Sequence, residues 1–406
     1  MQKRKLSNCS PSSQCRRAWP AIQPEQLVAD LVSWFERGAR DLPWRKTSDP
    51  YAIWISEIML QQTQVKTVVP YWERWMKAFP TVQRLACAPL SHILKLWEGL
   101  GYYSRARHLQ AAAQKIIAQH NGQFPRSFEA ILDLPGIGRY TAGAICSIAF
   151  NEPRPILDGN VIRVLTRIYG MRTHPKLNRT QTRLWSIAER LVKTSAQVYP
   201  AKGPRQFNQA LMELGALCCT PRDPQCARCP ARSICRAALL GKVERIPARA
   251  PRPPVTEHNV FAFVCAHNGH VLVRQRPAGG LNAHLWEFPN FDVATGSRRD
   301  PSPLPVSGRK RCSAILCHSD GPCPRAVAQQ LLGFKPQHVE ALCAFRHVIT
   351  HHRITLTAFR LELPGRDRLL AGVGEWTPID RLGTLPFSSA HRRIALELTA
   401  QNKTVR

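Results

Sequence analysis

The sequence predicts a multidomain protein, an all-α half followed by an α+β half, and three observations predict it. From about residue 25 to 240, apolar residues recur at helical spacing, with Pro and Gly between the stretches and few strand-like alternations. A proline-rich, basic stretch, ERIPARAPRPPV (244 to 255), then interrupts the pattern. Beyond it the period changes, and NVFAFVCAH and HVLVRQR flank Asn268-Gly269, a strong two-residue hairpin signal.

Each segment has its reason. Residues 1 to 24 carry five basic residues and no acid, which predicts a flexible basic arm. Amphipathic stretches such as QLVADLVSWFERGA, LSHILKLWEGL, RARHLQAAAQKIIAQH and TRLWSIAERLVKTSA build a helical domain over 25 to 240. The linker covers 241 to 256. In the second domain, 257 to 402, HHRITLTAFRLEL reads as a strand and RAVAQQLLGF as a short helix. Residues 293 to 325, rich in Ser, Pro, Arg and Cys, read as a poorly ordered insertion.

Composition narrows the partners. Among 406 residues, 57 Lys and Arg stand against 27 Asp and Glu, a net charge of +30, which points to a polyanion such as nucleic acid and to binding that weakens with salt. No apolar run approaches the roughly 18 residues that cross a bilayer, and no signal-peptide core opens the chain, so the expected setting is intracellular, without a membrane. Fourteen cysteines in a chain of this length do not make a secreted disulfide scaffold. Five of them, Cys218, Cys219, Cys226, Cys229 and Cys235, crowd into one short segment, and such clusters in a reducing compartment more often bind metal.

Four motifs carry chemistry. In FEAILDLPGIGRYTAGAICSIAF (128 to 150), two helical stretches are joined by Leu134-Pro135-Gly136-Ile137-Gly138. Gly136 and Gly138 let the turn close and bring backbone N–H groups to an anion, beside the positive end of the next helix, which suits a phosphate of a nucleic-acid backbone. The spacing Cys219-x6-Cys226-x2-Cys229-x5-Cys235 supplies four thiolates, enough for tetrahedral zinc or a cubane iron-sulfur cluster, and leaves Cys218 without a ligand role. Glu57 is the only acidic residue between Pro50 and Pro70 and lies among Ile53, Trp54, Ile55, Ile58, Met59 and Leu60. Asp158 and Asn160, in PILDGNVIRVL, read alone as a helix N-cap. A second carboxylate in an apolar setting, next to a nucleic-acid grip, raises Asp158 above that role.

Together SEIMLQQTQV, WEGLGYYSRARHL, LPGIGRYTAGAI, ILDGNVIRVL, FNQALMELGALCC and the four-cysteine spacing resemble the helix-hairpin-helix DNA glycosylases, and among them the adenine DNA glycosylases of the MutY type. Any one of these motifs could be accidental; six in order are not. The resemblance implies a glycosylase domain with a [4Fe-4S] cluster on Cys219, Cys226, Cys229 and Cys235, followed by a Nudix-like domain. It implies base excision repair: flipping of adenine mispaired with 8-oxoguanine or guanine out of double-stranded DNA and hydrolysis of its N-glycosidic bond, leaving an abasic site.

The residues take roles under that resemblance. Glu57 matches the general acid, kept protonated by its apolar surround so that it donates to N7 of adenine. Asp158 matches the carboxylate that stays ionised and stabilises the oxocarbenium-like sugar, with Asn160 assisting. Tyr140 stands where bifunctional relatives carry a Schiff-base lysine, so the enzyme is expected to be monofunctional. Gln62 matches a residue that fills the space of the flipped base, and Tyr102 an aromatic that intercalates beside 8-oxoguanine. Trp44 and Arg45 match pocket-lining positions, while Arg222 and Arg228, inside the cysteine loop, read either as phosphate contacts or as a solvated basic face.

The second domain resembles the module that inspects 8-oxoguanine, through GLNAHLWEFPNF and AFRHVITHH. Where the family commonly has Phe-Ser-His, this chain has Ile349-Thr350-His351: Thr350 keeps a hydroxyl and His351 an imidazole, while the aromatic is lost. The glutamate-rich Nudix signature is absent from RAVAQQLLGF, so this domain is expected to recognise and not to hydrolyse nucleotides. A monomer, located in the bacterial cytoplasm or in the nucleus or mitochondrion, is expected, with the linker docking repair proteins. An endonuclease of oxidised pyrimidines and a catalytically silent DNA binder are the rival readings, disfavoured by Tyr140 and by the Glu57 and Asp158 pair respectively.

Overall fold

The computed structural model describes residues 21–248, 254–293, 316–317, 321–349, 351–363 and 373–404. The basic arm up to residue 20, the middle of the linker, most of the 293–325 insertion and Thr350 lie outside the described residues.

Twelve helices precede the sheet among the described residues: α1 (Pro24–Gly38), α2 (Pro50–Leu60), α3 (Val65–Ala78), α4 (Val82–Cys87), α5 (Leu90–Trp97), α6 (Ser104–His120), α7 (Phe128–Leu132), α8 (Arg139–Phe150), α9 (Gly159–Ile168), α10 (Asn178–Val198), α11 (Gly203–Leu217) and α12 (Arg236–Leu239). The sheet domain follows as β1 (Thr256–His267), β2 (His270–Gln275), β3 (Trp286–Glu287), β4 (Asn290–Asp292), β5 (Leu316–Cys317), β6 (Gly321–Pro322), α13 (Pro324–Leu332), β7 (Val339–Ile349), β8 (His352–Glu362), β9 (Glu375–Pro378) and α14 (Ser389–Thr404). None of the described helices is long and apolar enough to cross a membrane.

The chain divides into two compact units, each built from separated stretches. One holds residues up to Asp41 and Arg139–Ala250, with α1 packed on α10 and α11, and α11 also packed on α8 and α9. The central position of α11 follows from its sequence: Phe207, Ala210, Leu211 and Leu214 are all buried. Glu213 is buried beside them and is met by Arg40, whose backbone N–H and side-chain Nε donate to its carboxylate at 3.1 and 2.9 Å. A buried carboxylate persists when it is paired and hydrogen-bonded in this way.

The other unit holds Leu42–Gly138 and Pro251–Arg406. In its helical part α4 and α5 pack on α6, and α2 packs on α3 and α6. Its sheet runs β3-β2-β1-β8-β7, with β4 added to β1 and β9 to β2. β1 and β8 pair in parallel, and the other pairs are antiparallel. The expected hairpin is there: Asn268 and Gly269 both have positive φ, +46° and +70°, as a primed turn between β1 and β2 requires. Apolar side chains cover both faces of the sheet, in one cluster around Phe288, Phe387 and Ile394 and another around Phe263, Leu331 and Leu361.

The first cluster contains a charged group that ties stability to pH. Glu287 is buried and bound by Arg274 and Arg276, both at 2.7 Å; burial alone would raise its pKa, but the two arginines and His391 hold it below the usual value. His391 accepts the Phe288 N–H at 3.2 Å, and burial pushes its pKa down to about 4. A histidine depressed from its ordinary value near 6.5 contributes stability that is complete above that value and is lost as pH falls towards 4. The loss amounts to about 3 kcal/mol, and Glu287 acts in the same sense at lower pH. Urea denaturation followed by Trp fluorescence is therefore expected to show stability falling from pH 6.5 to 4.5. His391→Gln, which keeps an acceptor but does not titrate, should flatten that slope, and an unchanged slope in the variant removes His391 from the account.

Candidate active site and nucleic-acid interface

Asp49 caps α2, accepting the N–H groups of Tyr51 and Ala52 at 3.0 and 3.4 Å, and Pro50 occupies the first turn. The capping role is thus filled well before Glu57. Residues Tyr51 to Met59 are all buried, and Glu57 retains only 5% exposure among them. A carboxyl in such a setting gives up hydration that its surroundings must replace, which makes an apolar helix an unusual place for it. Trp44 is buried edge-on to Trp72, with ring centroids 6.1 Å apart, and Arg45 is half-buried beside it in a short 3-10 turn.

Two loops of the same unit end in exposed side chains. Gln62 follows the end of α2 with φ +59°, and Tyr102 precedes α6 with φ +47° and 48% exposure. Left-handed backbone at two non-glycine residues is uncommon, and each costs on the order of 1 kcal/mol unless its surroundings impose it. The hairpin turn places Gly136 at φ +76°, where a Cβ would come within 2.6 Å of the His108 Cβ. Gly138 is exposed with nothing near its would-be Cβ, so its backbone is open to an approaching anion just before α8 begins.

In the other unit, Asp158 is the N-cap of α9, and its Oδ1 accepts the Val161 N–H at 2.7 Å. Its Oδ2 accepts from Asn160 Nδ2 at 3.0 Å, and Asn160 Oδ1 accepts from Arg163 at 2.8 Å. The structure therefore brings Asp158 and Asn160 together. α11 backs them closely, since a Cβ on Gly215 would lie 2.6 Å from the Asn160 Cβ. Tyr140, half-buried on α8, directs its hydroxyl to the sulfur of Met212 on the same α11 at 3.2 Å.

The cysteine loop is tied to α9. Arg163 donates to the Cys219 carbonyl at 2.7 Å; Arg167, fully buried, donates to the Thr220 carbonyl at 2.7 Å, the Cys219 Sγ at 3.3 Å and the Ile246 carbonyl at 2.9 Å. These arginines were not singled out in the sequence, where their only signal is an i, i+4 spacing on the helix that Asp158 caps. Arg222 and Arg228 are exposed in the loop.

The donor set suits a thiolate-bound metal group. Cys219, Cys229 and Cys235 lie close enough for their charges to interact, Cys226 does so with Cys218, and Arg163 and Arg167 both donate to the Cys219 residue. Burial raises Cys219, against the pull of the neighbouring Arg167 and Arg163 guanidinium groups, and pushes Cys235 up to about 11. Among the described residues no three His, Cys, Asp or Glu side chains already converge at metal-binding distance. Cys218, buried beside them, bonds the Gln225 carbonyl at 3.2 Å and also the Cys229 thiol.

In the sheet domain His351 sits in the turn between β7 and β8, its ring 4.0 Å from that of His352. His352 Nδ1 lies 2.6 Å from Thr256 Oγ1 and 3.2 Å from His258 Nε2, and His258 Nδ1 is 2.8 Å from the buried Asp292 carboxylate. This chain of polar groups anchors the base of the turn.

Residues 55–190 match the HhH-GPD superfamily of base excision DNA repair proteins, and residues 260–397 match a NUDIX domain. The adenine DNA glycosylase of Mus musculus is 35% identical, covering 90% of this chain and 76% of its own. Those of Rattus norvegicus and Homo sapiens are 38% and 34% identical, over 83% and 90% of this chain and 70% and 72% of theirs. Among solved structures a thermostable thymine-DNA glycosylase aligns with 53% of this chain and 97% of its own, at 32% identity and a TM-score of 0.48. With the helix-hairpin-helix half and the NUDIX half both matched and the similarity running through most of the sequence, the chain belongs to the adenine DNA glycosylase family.

Proposed function

We propose that this protein removes adenine paired with 8-oxoguanine or guanine in duplex DNA and leaves an abasic site in an intact strand. The observation that carries the reading is Glu57: a carboxyl buried in an apolar helix whose N-cap is already supplied by Asp49. An adenine leaving as an anion is a poor leaving group, so protonation at N7 by Glu57 makes departure feasible. The positive charge then left on the sugar is stabilised by the carboxylate of Asp158, held in place by Val161 and Asn160. Tyr140 has no amine with which to form an imine, so water completes the hydrolysis and the strand survives.

Around that chemistry, Gly136 and Gly138 hold a backbone phosphate, Gln62 and Tyr102 enter the duplex, and Trp44 and Arg45 line the base pocket. The Thr350 hydroxyl and His351 imidazole read the oxidised purine, with a preference reshaped by the extra methyl of Thr350. A [4Fe-4S] cluster would be held by Cys219, Cys226, Cys229 and Cys235, where it supplies a cross-link that fixes the loop presenting Arg222 and Arg228 to DNA. The glycosylase domain in this reading spans 25–240 and the recognition domain 257–402; the working unit is an intracellular monomer, and the linker docks repair proteins.

The test is single-turnover excision on duplexes with adenine opposite 8-oxoguanine, guanine or thymine, each analysed with and without alkali. Strand cleavage only after alkali, fastest opposite 8-oxoguanine, is expected. Nicking without alkali removes the monofunctional reading, and equal rates opposite all three partners remove the 8-oxoguanine reading.

A further inference from the structure

Arg105, the second residue of α6, is 8% exposed. A cation at the N-terminal end of a helix opposes the helix dipole, and a buried one normally has a carboxylate for company. All six of its recorded acceptors are instead neutral oxygens. Nη1 donates to the carbonyls of Ile58, Met59 and Gln61 at 2.8, 3.1 and 2.6 Å. Nη2 donates to the carbonyls of Leu100 and Gly101 at 3.0 and 3.1 Å and, more weakly, to Thr63 Oγ1 at 3.4 Å.

Those partners fall into two groups. The first is the C-terminal end of α2, whose free carbonyls form the negative pole of the helix and offset part of the cost of burying the charge. The second is the loop that leads into Tyr102, where Gly99, Gly101 and Tyr102 all have positive φ. The ring centroids of Trp97, at the end of α5, and of Tyr102 lie 5.1 and 5.7 Å from the guanidinium carbon, adding cation–π attraction. One planar fork therefore holds both segments, Nη1 the one carrying Gln62 and Nη2 mainly the one carrying Tyr102, with a weaker bond to Thr63. Its rigidity fixes the distance between them.

We propose that Arg105 is a positioning residue that presents Gln62 and Tyr102 to the duplex as a single preformed wedge. The proposal rests on the reading that both side chains enter DNA. Their two left-handed backbones are then held before DNA arrives, and the energy of binding goes into opening the base pair instead of ordering two loops. Lysine cannot substitute, because an ammonium is a point donor without a fork.

The test measures single-turnover excision of adenine opposite 8-oxoguanine by the full chain, with Arg105→Lys made in the wild-type background and in Gln62→Ala/Tyr102→Ala. Misplacing groups by about 1 Å can cost up to about 100-fold. Arg105→Lys is therefore expected to slow excision by at least about 10-fold in the wild type, and by less than about 3-fold once both wedge side chains are gone. The same factor in both backgrounds overturns the proposal, since a merely structural arginine would act alike in each. If Gln62→Ala/Tyr102→Ala excises as fast as wild type, the insertion reading itself falls and takes the proposal with it. A measurement on the unaltered protein covers the case of a variant that does not fold. Native-state amide exchange should show residues 61–63 and 99–103 opening together, with protection within about 3-fold, and a difference beyond about 10-fold overturns the proposal.

Discussion

The Glu57→Gln protein is expected to bind a duplex containing adenine opposite 8-oxoguanine within about 3-fold of wild type, because phosphate contacts dominate affinity, while excising adenine slower by roughly 10²–10⁴-fold, the range of a lost general acid. Glutamine nearly matches glutamate in shape and keeps hydrogen-bonding capacity, so packing among the buried residues of α2 is preserved. What disappears is a proton that can be given away. A structural glutamate would tolerate the change well, since an uncharged amide costs less to bury than an ionisable carboxyl. The melting temperature should therefore hold or rise while the chemistry fails. Filter binding and single-turnover kinetics on the same preparation separate the two effects; excision within a few-fold of wild type would take Glu57 out of the mechanism.

The parts of this molecule that could be read in the sequence are those where a residue type announces its own job. Asn268-Gly269 announced the β1–β2 turn, because backbone geometry there depends on the residues themselves. Asp158 is the N-cap of α9, as its place ahead of an apolar helical run suggests, and its second oxygen accepts from Asn160. Arg105, Arg163 and Arg167 stayed hidden for one physical reason. Their acceptors are mostly backbone carbonyls, between 44 and 79 positions away in the cases of Gln61, Cys219 and Ile246, and a carbonyl carries no letter in the sequence. The parallel pairing of β1 with β8 was equally silent, since period-two patterning reveals a strand but not its neighbour. Asp292 under His258 belongs with it, a contact created only when β4 folds beside β1.

Asp158→Asn separates the capping role of this residue from the chemical role proposed for it. Asparagine caps helices about as well as aspartate, so the Val161 N–H keeps its partner. The other oxygen becomes an amide nitrogen facing the Asn160 nitrogen that now donates to it. Asn160 can turn its amide to accept, but it then presents nitrogen to Arg163 and loses that bond. The expected cost in stability is about 1 kcal/mol, one mismatched hydrogen bond. The expected loss of excision is far larger, about 10²–10³-fold, because the charge opposite the sugar cation is gone. The double variant Asp158→Asn/Asn160→Asp makes the argument decisive. It gives every donor an acceptor again: the introduced amide donates to the introduced carboxylate, which also accepts from Arg163, while the charge moves two residues along α9. Urea denaturation should find its stability recovered, and single-turnover kinetics should find excision still lost. If activity returns with stability, Asp158 serves as a cap and nothing more, and the cation at the sugar must be met by another group.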